Sequence, residues 1–227
     1  MKAASEAAGF DIGGQTVKAA RVDLDGRVLS SAAAPTGSEL SAEHLAAALK
    51  RLLEDIHPGP GLAGTVGVGV AGVTAADGTL LGSPNLPALE GAKVARAVSR
   101  ALGRKTVVEN DANCAALAEG WGGAADGCDD FLLITLGSGL GSGLVMGGGL
   151  YRGAHGHGCE LGHAVVVQGG RPCGCGAKGC LEAYVSEAAL HSIIAETGGE
   201  LALAVGEAVK NGGGHARALF KLAGEGD

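Results

Sequence analysis

The stretch Gly9-Phe10-Asp11-Ile12-Gly13-Gly14-Gln15-Thr16-Val17-Lys18-Ala19-Ala20-Arg21-Val22-Asp23-Leu24-Asp25-Gly26 sets two short apolar runs on either side of a glycine turn. It predicts a strand over 9–12, a tight turn, and a second strand over 17–23. The Asp25-Gly26 pair favours another hairpin, into 27–34, so the chain opens as a β-meander. A helix follows. Ser41 is a suitable N-cap, and Leu45, Leu49, Leu52, Leu53 and Ile56 recur on one helical face until Pro58-Gly59 ends it. A strand over 65–71, a helix over 91–102, a strand over 106–109 and a helix over 112–120 continue the series. Strands alternating with helices point to an α/β fold, with lobes expected over 1–112 and 113–227.

Beyond residue 120 the pattern is rich in glycine. Residues 131–150 carry no charge over a length that could span a bilayer. They hold seven glycines, each costing a helix about 1 kcal/mol. Two strands, 131–136 and 144–146, joined by a Gly/Ser turn are therefore the better reading. A strand over 164–168, a helix over 181–197 and an Ala-rich helical end over 200–224 complete the expectation.

Of the 227 residues, 46% are hydrophobic, 3% aromatic and 43 are glycine. The core must therefore be built from Ala, Val and Leu, and disorder is excluded by the apolar content. The net charge is -7 and the Lys and Arg residues are scattered, which argues against a nucleic-acid surface. Residues 1–9 lack the apolar run of an export signal, so a cytoplasmic protein away from membranes is expected.

The loop Arg171-Pro172-Cys173-Gly174-Cys175-Gly176-Ala177-Lys178-Gly179-Cys180 brings three thiols together around flexible glycines. A tetrahedral zinc needs a fourth ligand, and His163, ten residues upstream of Cys173, is the natural candidate. Disulfides compete with this reading, but a Cys-x-Cys bridge is strained and a cytoplasmic chain keeps thiols reduced. Cys114, Cys128 and Cys159 lie outside the spacing and are expected as small buried hydrophobes.

Two glycine turns follow apolar strands: Asp11-Ile12-Gly13-Gly14-Gln15-Thr16, and Thr135-Leu136-Gly137-Ser138-Gly139. Their backbone N–H groups could cradle phosphate, although either turn alone is also an ordinary hairpin. Neither is a Walker A loop or a dinucleotide fingerprint. At Glu109-Asn110-Asp111-Ala112-Asn113 a strand ends in polar residues before a helix, where ligands bind in α/β sheets. Asp111 alone could be a helix cap, and Glu160 and Glu182 alone could be solvated carboxylates.

Taken together, these motifs, with Glu160-Leu161-Gly162-His163 and the run from Cys173 through Leu181-Glu182, resemble the ROK family of sugar kinases and sugar-responsive repressors. The resemblance runs from about residue 9 to 186. It implies an actin/hexokinase-like (ribonuclease H-like) fold of two α/β lobes, with a zinc-bearing loop in the second. It implies ATP-dependent phosphorylation of a hexose, with glucose ahead of N-acetylmannosamine, N-acetylglucosamine and fructose. Asp111 matches the catalytic base. Asn110, Asp111, Glu160, His163 and Glu182 match sugar-binding positions. Gly13, Gly14, Thr16, Gly137, Ser138 and Gly139 match the phosphate turns, with Asp11 near a magnesium ion carried with ATP. His163, Cys173, Cys175 and Cys180 match the structural zinc ligands, and a homodimer is the family expectation.

Three departures accompany the resemblance. Gln15 and Val17 replace residues the family often has in the first turn, and Ala71-Gly72-Val73 stands where a Pro-Gly pair is frequent. Family members usually continue past this end into an adenosine-binding turn and a closing helix. Gly212-Gly213-Gly214 follows Val-Lys-Asn and reads as a helix break instead. The family's repressors carry an N-terminal helix-turn-helix, whereas eight residues precede the first strand here. A non-catalytic sugar sensor is the rival function, and Asp111 favours the kinase.

Overall fold

The computed structural model describes residues 6–37, 41–57, 62, 64–199, 203, 205 and 207. The opening meander forms as expected: β1 (Glu6–Ile12), β2 (Thr16–Asp23) and β3 (Val28–Pro35) pair antiparallel in sequence order. β1 starts earlier than its apolar run because Glu6 pairs with Asp23 and takes a 2.9 Å ion pair from Arg21. In α1 (Ala42–Ile56), Ser41 Oγ accepts the His44 N–H at 3.2 Å. Leu45, Leu49, Leu52 and Ile56 form its buried stripe. Pro58 and Gly59 lie outside the described residues.

Next come β4 (Thr65–Val70), the short pair β5 (Val73–Thr74) and β6 (Leu80–Gly82), α2 (Val94–Leu102) and β7 (Lys105–Asn110). The β5–β6 pair has too few residues to show a period. α2 begins at Val94 because the two residues expected to open it are engaged elsewhere. Gly91 donates to the Leu80 carbonyl, and the Ala92 carbonyl accepts from Leu80 N–H. β4 lies parallel to both β1 and β7, giving the sheet order β3-β2-β1-β4-β7.

Alternation along these strands separates two faces. Ala8, Phe10, Ile12, Val66, Val68 and Val70 point into the core with Leu45, Leu49, Val94 and Val98. Burying each such large side chain contributes about 1.5–3 kcal/mol, so this layer fixes the sheet. The opposite face carries Gly9, Asp11, Gly67 and Gly69, and α3 (Asp111–Gly122) lies there. The helix lies directly over Gly69: a Cβ there would be in ordinary contact with Cys114 Sγ at 3.5 Å and Asp111 Cα at 3.7 Å.

β8 (Phe131–Leu136), β9 (Leu140–Met146) and β10 (Gly149–Leu150) form a second sheet in the order β10-β9-β8. β8 matches its expected bounds. β9 starts before residue 144, since glycines weaken a paired strand without breaking it. The strand expected over 164–168 does not form. Val165 makes a single bridge to Cys180, and the Val166 and Val167 N–H groups both converge on the Gly179 carbonyl. A β-branched run without a partner strand stays a loop. The helix expected over 181–197 is broken at Ser186, which is extended and caps the next helix through Ala189 N–H at 3.1 Å. The result is α4 (Glu182–Val185) and α5 (Glu187–Thr197).

The chain divides into two compact units, Met1–Leu133 with Gly143–Cys159, and Ile134–Ser142 with Glu160–Asp227. The division does not fall at 112/113, because α3 packs on β4, β7 and β10 of the first unit. Among the described residues no helix is long and apolar enough to cross a membrane. The helical end expected over 200–224 falls outside the described residues, apart from 203, 205 and 207.

Candidate active site

In the first unit the site grows from the carboxyl ends of the parallel strands β1, β4 and β7, where α/β sheets present their ligands. Asp11 is in register with Gly69, and Gly69 with Glu109, so the three form one row across the sheet. One residue beyond that row the chain turns into α3. Asn110, not Asp111, is the N-cap, its Oδ1 accepting the Asn113 N–H at 3.0 Å. Its amide nitrogen donates to the Gly72 carbonyl at 3.1 Å and to Asp111 Oδ1 at 3.0 Å. Asp111 Oδ1 also accepts the Ala112 N–H at 2.9 Å. The Asp111 carboxylate is therefore held by its neighbours on one oxygen.

Loss of hydration on its packed flank raises the pKa of Asp111 above the ordinary value, and the nearby Asp11 charge adds to the rise. Hydrogen bonds from Ala112 and Asn110 partly oppose it. Glu109 behaves in the opposite way. Burial would raise it, but bonds from Asn113, the Asn110 amide and Arg152 outweigh that and hold it below the usual range. Its Oε2 takes a 2.6 Å bond from Arg152 Nε. Glu109, Asn113 and Arg152 thus brace the corner that carries Asp111. Glu109 and Asn113 belong to the motif legible in the sequence, but nothing in it signalled this bracing role. Arg152, 43 residues away from Glu109, gave no local sign.

The first glycine turn is closed from within. Gly13 N–H donates to the Thr16 carbonyl at 3.1 Å, and the Gly13 carbonyl accepts from Thr36 Oγ1 at 2.7 Å. The Gly13 N–H is therefore committed to the turn, while Gly14 and Gln15 are exposed. Asp11 faces Lys18 Nζ at 3.6 Å with both side chains more than half exposed, a pair worth little in water.

In the second unit, one His163 ring nitrogen and the Cys173, Cys175 and Cys180 sulfurs all lie within 4.8 Å of one another. Cys173 Sγ is 3.7 Å from His163 Nδ1, and Cys175 Sγ is 3.7 Å from Cys180 Sγ. Ligands at zinc distances on a tetrahedron are separated by about 3.5–3.8 Å. Three thiols and an imidazole suit that ion in their chemistry, and the two pairs at 3.7 Å match its size. Backbone bonds shape the loop: Cys173 N–H to the Ala177 carbonyl at 2.9 Å and Gly179 N–H to the Arg171 carbonyl at 2.7 Å. His163 ends the short 3-10 turn Leu161–His163, and its N–H donates to the Glu160 carbonyl at 3.0 Å. Glu160 is exposed.

Glu182 opens α4, and its Oε2 accepts the Leu140 N–H at 2.8 Å, next to the exposed Gly137 and Ser138. A cavity of about 340 Å³ in this unit is lined by residues including Ser138, Cys173, Glu182 and Ser186. The Arg171–Glu196 ion pair borders the same cavity. The remaining cysteines differ from expectation: Cys128 is exposed, and Cys114 and Cys159 are half-buried. Burial, and then the carboxylates of Glu109, Asp111 and Asp11, push the Cys114 thiol up to about 11. Among the described residues Cys159, just before Glu160, is the single non-glycine with positive φ, at 60°.

Residues 7–227 match the model of the ROK family. The chain belongs to the ROK family. It is 35% identical over 189 residues to the glucokinase of Thermotoga maritima, covering 83% of this chain and 59% of that protein. It is also 35% identical over 188 residues to the N-acetyl-D-glucosamine kinase of Erwinia tasmaniensis, covering 78% of this chain and 62% of that one. The chain thus spans about three fifths of the length of these relatives. A Streptomyces griseus ROK family glucokinase, solved in complex with glucose and AMPPNP, aligns with a TM-score of 0.82 and 35% identity. The alignment covers 98% of this chain and 72% of that one. The mixed α/β fold with its central sheet is that of the ROK sugar kinases, as expected for an actin/hexokinase-like protein.

Proposed function

We propose that this chain serves the ATP-dependent phosphorylation of a hexose, with glucose converted to glucose 6-phosphate. The observation that carries the reading is Asp111: a carboxylate on the first turn of α3, fixed by Asn110 and Ala112, with a raised pKa. A general base works best when its pKa moves toward the working pH. With Oδ1 committed to its neighbours, Oδ2 accepts the proton of the sugar hydroxyl as the hydroxyl oxygen attacks the γ-phosphorus in line, and the bond from that phosphorus to the bridging oxygen breaks to release ADP. Asn110 already makes three bonds, so its first contribution is to hold Asp111, with one lone pair of its amide oxygen left for a sugar hydroxyl. Glu160, His163 and Glu182 supply the remaining sugar contacts.

The two glycine turns, at Gly13, Gly14 and Thr16 and at Gly137, Ser138 and Gly139, take the phosphates. Magnesium carried with ATP would offset phosphate charge, and Asp11 is the carboxylate assigned beside it. Zinc held by His163, Cys173, Cys175 and Cys180 would cross-link the second unit and take no part in the chemical step. Likeness to an N-acetylglucosamine kinase as well as to glucokinases supports a second reading, in which the sugar is N-acetylglucosamine. Phosphorus NMR of reactions with glucose, N-acetylglucosamine, N-acetylmannosamine or fructose separates the two. Glucose should give a phosphomonoester at C6. Product with N-acetylglucosamine alone would select the second reading, and absence of product with all four would sink the kinase.

A further inference from the structure

The second glycine turn is anchored by the segment that follows the last cysteine. The Gly137 carbonyl accepts the Glu187 N–H at 2.9 Å, at the start of α5. The Leu140 N–H donates to Glu182 Oε2 at 2.8 Å. Gly139 permits this contact, since a Cβ there would lie 2.5 Å from the same oxygen. The other carboxylate oxygen, Oε1, lies 3.6 Å from Cys173 Sγ. Glu182 also follows the fully buried Cys180 by two residues. One carboxylate therefore has one oxygen on the turn and the other against the thiol and imidazole cluster. A second tie runs beside it, from Leu161 N–H to Ser142 Oγ at 3.1 Å, so the segment carrying His163 also grips this hairpin.

We propose that Glu182 is a positioning residue for the phosphate-facing turn, and that the metal cluster acts on nucleotide affinity through it. This rests on the proposed reading of Gly137–Gly139 as a phosphate turn and of the four ligands as a zinc site. With the Leu140 N–H held by Glu182 and the Gly137 carbonyl held by Glu187, both ends of the turn are fixed. The exposed backbone between them keeps one orientation before the phosphate arrives. Releasing the cysteines frees the peptide that carries Glu182, and the turn loses its anchor.

The test uses the zinc-loaded 227-residue protein, magnesium–AMPPNP as the probe and no sugar. Calorimetry gives affinity, and amide hydrogen exchange at Leu140 reports the anchor directly. Glu182→Ala should weaken AMPPNP by roughly tenfold, the worth of a hydrogen bond to a charged group, and should speed Leu140 exchange. Glu182→Gln keeps an acceptor oxygen and should restore both. Gly139→Ala perturbs the same contact from the turn side and should reproduce the loss, which guards against misfolding of the first variant. Chelating the metal from the wild type should speed Leu140 exchange as well. If Glu182→Ala loses sugar affinity while AMPPNP affinity and Leu140 exchange stay unchanged, Glu182 serves the sugar alone and the inference falls. If the wild type binds zinc but not AMPPNP, the phosphate reading itself fails and takes the inference with it.

Discussion

The corner at Glu109–Asn113 and the loop at Glu160–Glu182 both carry assigned sugar contacts, yet they are built by opposite means. The corner sits where β7 runs into α3. Hydrogen bonds among Glu109, Asn110, Asp111 and Asn113, with Arg152 behind them, fix every side chain. The loop has one 3-10 turn, isolated bridges and scattered backbone bonds, and the zinc proposed at its thiol and imidazole cluster would tie them together. Where regular elements meet, the backbone preorganises the chemistry. Where they are absent, a cross-link has to. The first region should therefore be indifferent to chelators, and the second sensitive to them.

The largest expected effect tests the corner. Asp111→Ala should lower kcat by about 10²–10⁴-fold, the usual worth of a general base, while sugar binding measured by calorimetry is largely kept. An active variant would remove Asp111 from the mechanism. Next in size is the loop: Cys175→Ala, or chelation, should weaken sugar binding and speed amide exchange over residues 160–182. Amides of β1, β4 and β7 should stay protected. Equal loss of protection in both regions would break the contrast.

A smaller effect is set by charge. Asp111 must be ionised to act, so activity is present above its folded pKa and is lost as pH falls through it. Because that pKa is raised, the acid limb of the kcat/KM profile should lie above the pKa of about 3.9 for an ordinary aspartate. Asp11→Asn removes a neighbouring negative charge and should move the limb to lower pH, even though turnover drops. A limb that stays in place would show that Asp11 does not act on Asp111.

The smallest effect concerns the entry to the loop. Relief of the left-handed strain at Cys159 is worth about 1–2 kcal/mol, less roughly 0.5–1 kcal/mol for the freedom glycine has when unfolded. Cys159→Gly should therefore be more stable than Cys159→Ala, which loses the same thiol, by about 0.5–1 kcal/mol in urea denaturation. Equal stability of the two variants would show that the left-handed backbone there carries no strain.

The same contrast explains what the sequence revealed. The meander, α1 and β8 were legible because hydrophobic period, a serine cap and turn residues agreed over several residues. Asp111 and the cysteine cluster were legible because their partners lie close in the chain. Arg152 was not, since its partner is 43 residues away. Nor was the loop at 164–168, where a β-branched run predicted a strand that had no neighbour to pair with. The break at Ser186 was missed because a capping serine inside an apolar pattern looks like any other helical position. The tie between Glu182 and Leu140 spans 42 residues and needed the fold to become visible.

The most direct test of the central claim is sugar-dependent ADP release by the zinc-loaded 227-residue protein, with Asp111→Ala alongside. The account predicts saturable release with glucose that the substitution abolishes. Binding of both glucose and magnesium–ATP without ADP release would contradict it and mark a sugar sensor instead.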